Sequence, residues 1–178
     1  MKTQTIVVIA VVVILVIVGG YYTYVQMAKP PTPTGEVVLK VRGMIEKKNA
    51  GDEYHFDLQM LEKLIDTEFD WECPWFGMYH WEGVSLLTLL EEVGASSDAT
   101  YIEFVASDGV TARYPIEMLK NHPKIMLALK MNGSYIPEEM VGPLRVVIPY
   151  NIYPDLEEDY PAFPYTVGWI IEANVGKD

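Results

Sequence analysis

The chain has 178 residues, half of them hydrophobic and 12% aromatic, with a formal net charge of −12. That composition excludes a disordered chain, and the acidic balance disfavours any role on a phosphate backbone, so no nucleic-acid partner is expected. One cysteine rules out a disulfide framework, a zinc finger and a cysteine-ligated iron–sulfur cluster.

The first feature in chain order is apolar. No charged side chain occurs from Thr3 to Ala28, and Ile6–Val18 is almost entirely Val, Ile and Leu. Crossing a bilayer takes roughly 20 apolar residues, and a helix is the one-segment way to satisfy the backbone in lipid. The reading is a four-residue tail (1–4) and an uncleaved transmembrane anchor over 5–25, with Tyr21, Tyr22 and Tyr24 at the interface. A cleaved signal peptide would have a shorter apolar core and a small-x-small site. The short tail predicts a single-pass protein whose soluble domain is extracytoplasmic. Residues 26–35, containing the run AKPPTPTG, read as a proline-rich linker, and 36–178 as one domain.

Within that domain Glu36–Ile45 alternates as a strand, and Tyr54–Phe56 is a second extended piece. Asp57 caps a helix carrying Leu58, Leu61, Leu64 and Ile65. Phe69–Trp75 is extended and halted by Pro74; Val84–Val93 is an amphipathic helix stopped by Gly94. Thr100–Ala106 and Val110–Tyr114 form a hairpin through Ser107-Asp108-Gly109, and Pro115 opens a short helix to Leu119. Met126–Met131 leads into an Asn132-Gly133 turn, and Leu144–Pro149 is a buried strand. Tyr150–Pro164 reads as an acidic, proline-broken loop before a last strand, Tyr165–Val175. Strands dominate and hairpins recur, which predicts an α+β domain of mixed, mainly antiparallel sheets with short helices.

Four fragments in this order, Trp81-Glu82-Gly83-Val84, Ser107-Asp108-Gly109, Met131-Asn132-Gly133 with Ile136-Pro137, and Gly142-Pro143-Leu144-Arg145, resemble one family. It is the oxidoreductase molybdopterin-binding domain of the sulfite-oxidase type, and the resemblance covers nearly all of the soluble part. It implies that fold, with Cys73 as the metal ligand and Arg145 as a cofactor-binding residue if molybdopterin is held. It also exposes departures. Met140 stands where many members carry histidine, Gly168 where a lysine is expected before Trp169, and four carboxylates lie within 155–159. Carboxylates beside a phosphate would repel it by about 1 kcal/mol each at 4 Å in water.

Export adds a further consideration. A cofactor loaded into a folded cytoplasmic domain needs a twin-arginine signal, and the only arginines are Arg42, Arg113 and Arg145. The expectation is therefore a membrane-anchored domain of this fold that lacks the cofactor and serves as a binding or assembly module, with a membrane protein as partner. The alternative is a membrane-tethered, molybdopterin-dependent oxidoreductase using Cys73 and a molybdenum cofactor.

Other constellations are weaker. His55, His80 and His122 are dispersed, and the 155–159 run lacks the spacing of a calcium loop. Trp71, Trp75, Phe76, Tyr79 and Trp81 either fill the core or line a groove, with core filling favoured.

Overall fold

A computed structural model describes residues 13–15, 29–75 and 77–178. It divides into two units, Met1–Pro31 and Thr32–Asp178. Of the expected anchor, 13–15 are helical and the remainder lies outside the described residues. Among the described residues no helix is long and apolar enough to cross a membrane.

The larger unit is built on two five-stranded sheets. The first has the order β2 (Tyr54–Asp57), β1 (Val37–Gly43), β10 (Ile170–Gly176), β5 (Tyr101–Ala106), β6 (Thr111–Pro115). The second runs β3 (Thr67–Cys73), β4 (Gly77–Ser85), β7 (Met126–Met131), β8 (Ser134–Tyr135), with β9 (Arg145–Val147) also pairing β7. Only β1 and β10 pair in parallel, so the sheets are mixed and mainly antiparallel as expected. The helices are short: α1 (Leu58–Glu62), α2 (Leu86–Glu92), α3 (Ile116–Asn121), α4 (Leu156–Asp159), and α5 (Ala162–Tyr165), which is broken by non-helical Phe163 and Pro164.

Alternation explains the sheet faces. Leu39 and Val41 of β1 are fully buried, as are Ile102 and Phe104 of β5. In β3 the buried Phe69, Trp71 and Cys73 alternate with exposed Glu68, Asp70 and Glu72. Trp71 and Trp81 therefore fill the core; their ring centroids are 6.4 Å apart, and Tyr150 lies 5.9 Å from Trp71. Asp57 caps α1 as its sequence position predicted. Its Oδ1 accepts from Met60 N at 2.8 Å, and its Oδ2 accepts from Thr34 N and Gly35 N at 2.7 and 2.8 Å.

The largest departure from expectation is β4. The sequence suggested a helix beginning at Val84, with Gly83 turning the chain into it. Instead Gly83 and Val84 lie inside a nine-residue strand, and the helix starts at Leu86, capped by Ser85. Gly83 is required for another reason: a Cβ there would sit 2.3 Å from the Leu127 carbonyl oxygen, where β4 and β7 slip register. Pairing with β7, through Val84 with Leu127 and Ser85 with Met126, overrides the helical pattern at its start. The last strand likewise begins at Ile170 rather than Tyr165, and 166–169 line a cavity instead. The acidic segment contains α4 rather than a plain loop.

Candidate functional site

Arg145 heads β9, and its guanidinium is almost wholly removed from solvent, at 2% exposure. Two sequence-distant groups meet it. Its Nη2 donates to Cys73 Sγ at 3.7 Å, at the end of β3, and to Thr166 Oγ1 at 3.3 Å, just beyond α5. Thr166 Oγ1 in turn donates to the Ala162 carbonyl at 2.7 Å, which fixes the hydroxyl. β9 is held in place by its pairing with β7 and by the bond from Val146 N to Val167 O at 2.8 Å. Burial lowers the Arg145 pKa, while the neighbouring Cys73 and Tyr114 act in the opposite direction.

The sequence singled out Cys73 and Arg145 separately, 72 residues apart, and the structure brings them into contact. Cys73 itself is 1% exposed and does not reach the cavity that Arg145 borders. Trp75, at the tip of the β3–β4 hairpin, places its ring 5.6 Å from the Arg145 Cζ, within cation–π range.

The cavity has a volume of about 280 Å³. Its lining is mostly apolar, with Trp75, Phe163, Trp169 and Val141 contributing the larger surfaces, and Arg145 is the only cation among the described residues that line it. Its one carboxylate belongs to Asp108, on the exposed turn between β5 and β6. The acidic run 155–159, expected to crowd this region, contributes nothing to the lining; Asp155 instead meets His122 Nε2 at 3.0 Å.

Backbone strain gathers here as well. Among the described residues three non-glycine residues have positive φ. Asn132 serves the β7–β8 turn, whereas Val141 (61°) and Trp169 (48°) both border the cavity. A β-branched residue in the left-handed region is costly, and such positions concentrate at functional sites. The pair is locked together: Trp169 N donates to Val141 O at 2.7 Å, and Trp169 Nε1 donates to Glu138 O at 2.9 Å. Gly168 between them has no room for a side chain, since a Cβ would fall 2.5 Å from Val141 Cβ and from Val141 O. Met140 lies in a single 3₁₀ turn, Glu138–Met140, partly buried against the core.

The remaining candidates separate. His80 Nδ1 meets Asp70 Oδ1 at 2.8 Å on an exposed face, and His55 pairs with Glu53. Among the described residues no group of three His, Cys, Asp or Glu side chains is arranged to hold a metal ion. Sequence reasoning missed Thr166, Val141, Phe163 and Asp108. The usable signal was weak: Phe163-Pro164 and Gly168-Trp169 stand out only as an aromatic, proline- and glycine-rich stretch after the acidic run.

The family model described as oxidoreductase molybdopterin binding domain matches residues 39–153, well over half of the chain. The chain belongs to that family. It is 28% identical over 118 residues to the putative protein-methionine-sulfoxide reductase subunit YedZ1 of Azospira oryzae, covering 64% of this chain and 43% of that protein. The fold is similar to that of the sulfane dehydrogenase SoxCD from Paracoccus pantotrophus, with a TM-score of 0.60 at 18% identity, covering 83% of this chain and 40% of that one. The chain thus spans less than half the length of either.

The donor set at the cavity is a poor match for molybdopterin. A pterin phosphate calls for several converging cations or N–H donors. Here one guanidinium is already directed at Cys73 and Thr166, and the Cys73 thiol is sealed beneath it. The position where family resemblance calls for a lysine, Gly168, admits no side chain without displacing Val141.

Proposed function

We propose that this protein is a membrane-anchored, extracytoplasmic member of the molybdopterin-binding family that works without the cofactor, as a binding and assembly module for a membrane-protein partner. The observation that carries the reading is the Arg145–Cys73 contact. The cation that would grip the pterin anion instead covers the sulfur that would bind the metal. The apolar cavity wall and the glycine at the lysine position support it. The uncharged stretch from Thr3 to Ala28 supports the anchor. The likeness to a reductase subunit of Azospira oryzae supports an assembly role, since a subunit acts through a partner.

The test is elemental analysis of the full chain purified from membranes of cells supplied with molybdate. The expected result is molybdenum and tungsten at background. One metal per chain overturns the proposal.

A second reading, a membrane-tethered molybdopterin-dependent oxidoreductase, draws on the same convergence of Cys73 and Arg145 beside one cavity. In that case Cys73 would ligate the metal and Arg145 would contact the pterin. Replacing Cys73 with serine should then remove both metal and activity.

A further inference from the structure

We propose that the cavity bordered by Trp75, Phe163 and Trp169, together with the acidic depression beside it, docks a segment of the partner protein in which one large apolar side chain is flanked by basic ones. This deepens the binding-module reading and rests on it.

The apolar half is a slot. Phe163 is 77% exposed and Trp75 50%, with Val110 also exposed, and all three border the cavity. Large apolar groups held in water gain by being covered. The volume of about 280 Å³ lies below the ~300–1,000 Å³ of pockets for whole ligands and suits one anchoring side chain. Arg145 contributes only to the wall, since its Nη2 is engaged by Cys73 and Thr166.

The acidic half adjoins it. Asp108 and Trp169 line both the slot and a depression of about 620 Å³ whose other walls are Ser107, Glu138 and Glu139. Asp108, Glu138 and Glu139 are all exposed, and no cation lines that depression among the described residues. Three carboxylates around one depression attract a basic group and repel an acidic one. An apolar anchor point with a charged rim is the anatomy of a protein docking site.

The two halves are held in a fixed relation. Trp169 N donates to Val141 O at 2.7 Å and its Nε1 to Glu138 O at 2.9 Å, so the ring that walls the slot is tied to the backbone of the acidic rim. An occupant that fills the slot must therefore present its neighbouring groups to the carboxylates. Charge also decides among occupants. A second copy of this chain in a two-fold contact would set the same three carboxylates against each other, and an anionic lipid surface would be repelled by them.

The experiment titrates the full chain, in a neutral detergent, with three acetylated and amidated peptides, Gly-Lys-Phe-Lys-Gly, Gly-Glu-Phe-Glu-Gly and Gly-Lys-Ser-Lys-Gly. It follows tryptophan fluorescence, because Trp75 and Trp169 border the slot. The expected result is a saturable change with the Lys-Phe-Lys peptide, at least about tenfold tighter than with either of the others. Glu138→Lys combined with Glu139→Lys should make the Glu-Phe-Glu peptide the better binder, a reversal that loss of folding cannot mimic. Phe163→Ala, at an exposed position, should weaken the Lys-Phe-Lys peptide by about threefold or more and leave the Lys-Ser-Lys peptide unchanged. Equal affinity for the Phe and Ser peptides, no preference for the basic over the acidic one, the wild-type preference retained in the charge-reversed chain, or no saturable response up to about 10 mM overturns the inference. So does a wild-type dimer in light scattering that Phe163→Ala converts to monomer, because a second copy then fills the slot. Metal content, measured on the same sample, separates the two levels. One molybdenum per chain overturns the cofactor-less reading, whereas a metal-free chain that does not discriminate among the peptides overturns only the partner's chemistry.

Discussion

Asp57 and Arg145 are both buried charges at the ends of strands, and they are treated in opposite ways. Asp57 accepts three backbone N–H bonds of 2.7–2.8 Å, from both α1 and the chain entering β1. Arg145 makes longer contacts, 3.3 Å to a hydroxyl and 3.7 Å to a sulfur, and faces a cavity. Short bonds to fixed backbone groups stabilise a fold. A cation held by a hydroxyl and a sulfur at longer range gains less from those contacts. The contrast separates a charge held by short backbone bonds from one held by longer side-chain contacts.

The strongest test of that contrast is Asp57→Ala. It removes the cap of α1 and leaves Thr34 and Gly35 N–H without their acceptor, so a loss of about 2 kcal/mol is expected in urea unfolding. An unchanged midpoint would break the comparison.

The same centre sets an acid dependence. The N–H groups of Gly35 and then Met60 hold the Asp57 carboxyl below its usual range against the opposing effect of desolvation. A depressed carboxyl stabilises the fold above its unfolded value of about 3.9, and that contribution is lost as pH falls through the folded value. Stability of the wild type should therefore fall in the acid range more steeply than that of Asp57→Asn, measured as unfolding midpoint against pH.

Arg145→Met should behave differently. Cys73 Sγ, Thr166 Oγ1 and the Trp75 ring are among the groups it touches and none is a carboxylate, so the change relieves the cost of burying a charge. Stability within about 1 kcal/mol of wild type, or above it, is expected from the same urea experiment. A large loss would make Arg145 a scaffold residue and remove the distinction.

The smallest effect belongs to His80, on the exposed face of the β3–β4 hairpin. Its hydrogen bond to Asp70 raises its pKa. Such a group stabilises below its unfolded value of about 6.5, and the contribution disappears as pH rises through the folded value. His80→Gln should change stability by at most about 0.5 kcal/mol, and only on the acid side, because the pair is solvent-screened. A thermal melt at two pH values reads this.

The strands with clean alternation were legible residue by residue. Leu39 and Val41 face inward as their spacing requires, and the Asn132-Gly133 turn takes the positive φ angles, 51° and 77°, that its residues favour. Asp57 as a cap was equally local. The element that escaped was β4: Val84-Ser85-Leu86-Leu87 carries a helical signal in its second half, and nothing nearby in the sequence reveals that β7 claims its first half. At the site, the residue types that matter for chemistry, a thiol and a guanidinium, drew notice from sequence. The walls did not, because valine, alanine and phenylalanine look the same whether they fill a core or border a cavity.

The sequence by itself determined the family frame, the short-range turns and caps, the uncharged N-terminal stretch, and Cys73 and Arg145 as the pair to watch. These depend on local geometry or on residue chemistry that survives without neighbours. Only the tertiary structure decided that the two meet, that the thiol is sealed under the guanidinium, that Gly168 has no room for a lysine, and that 155–159 stays clear of the cavity. Each of those is a matter of distance between segments far apart in the chain, set by sheet pairing and close packing, which no pattern within one segment encodes.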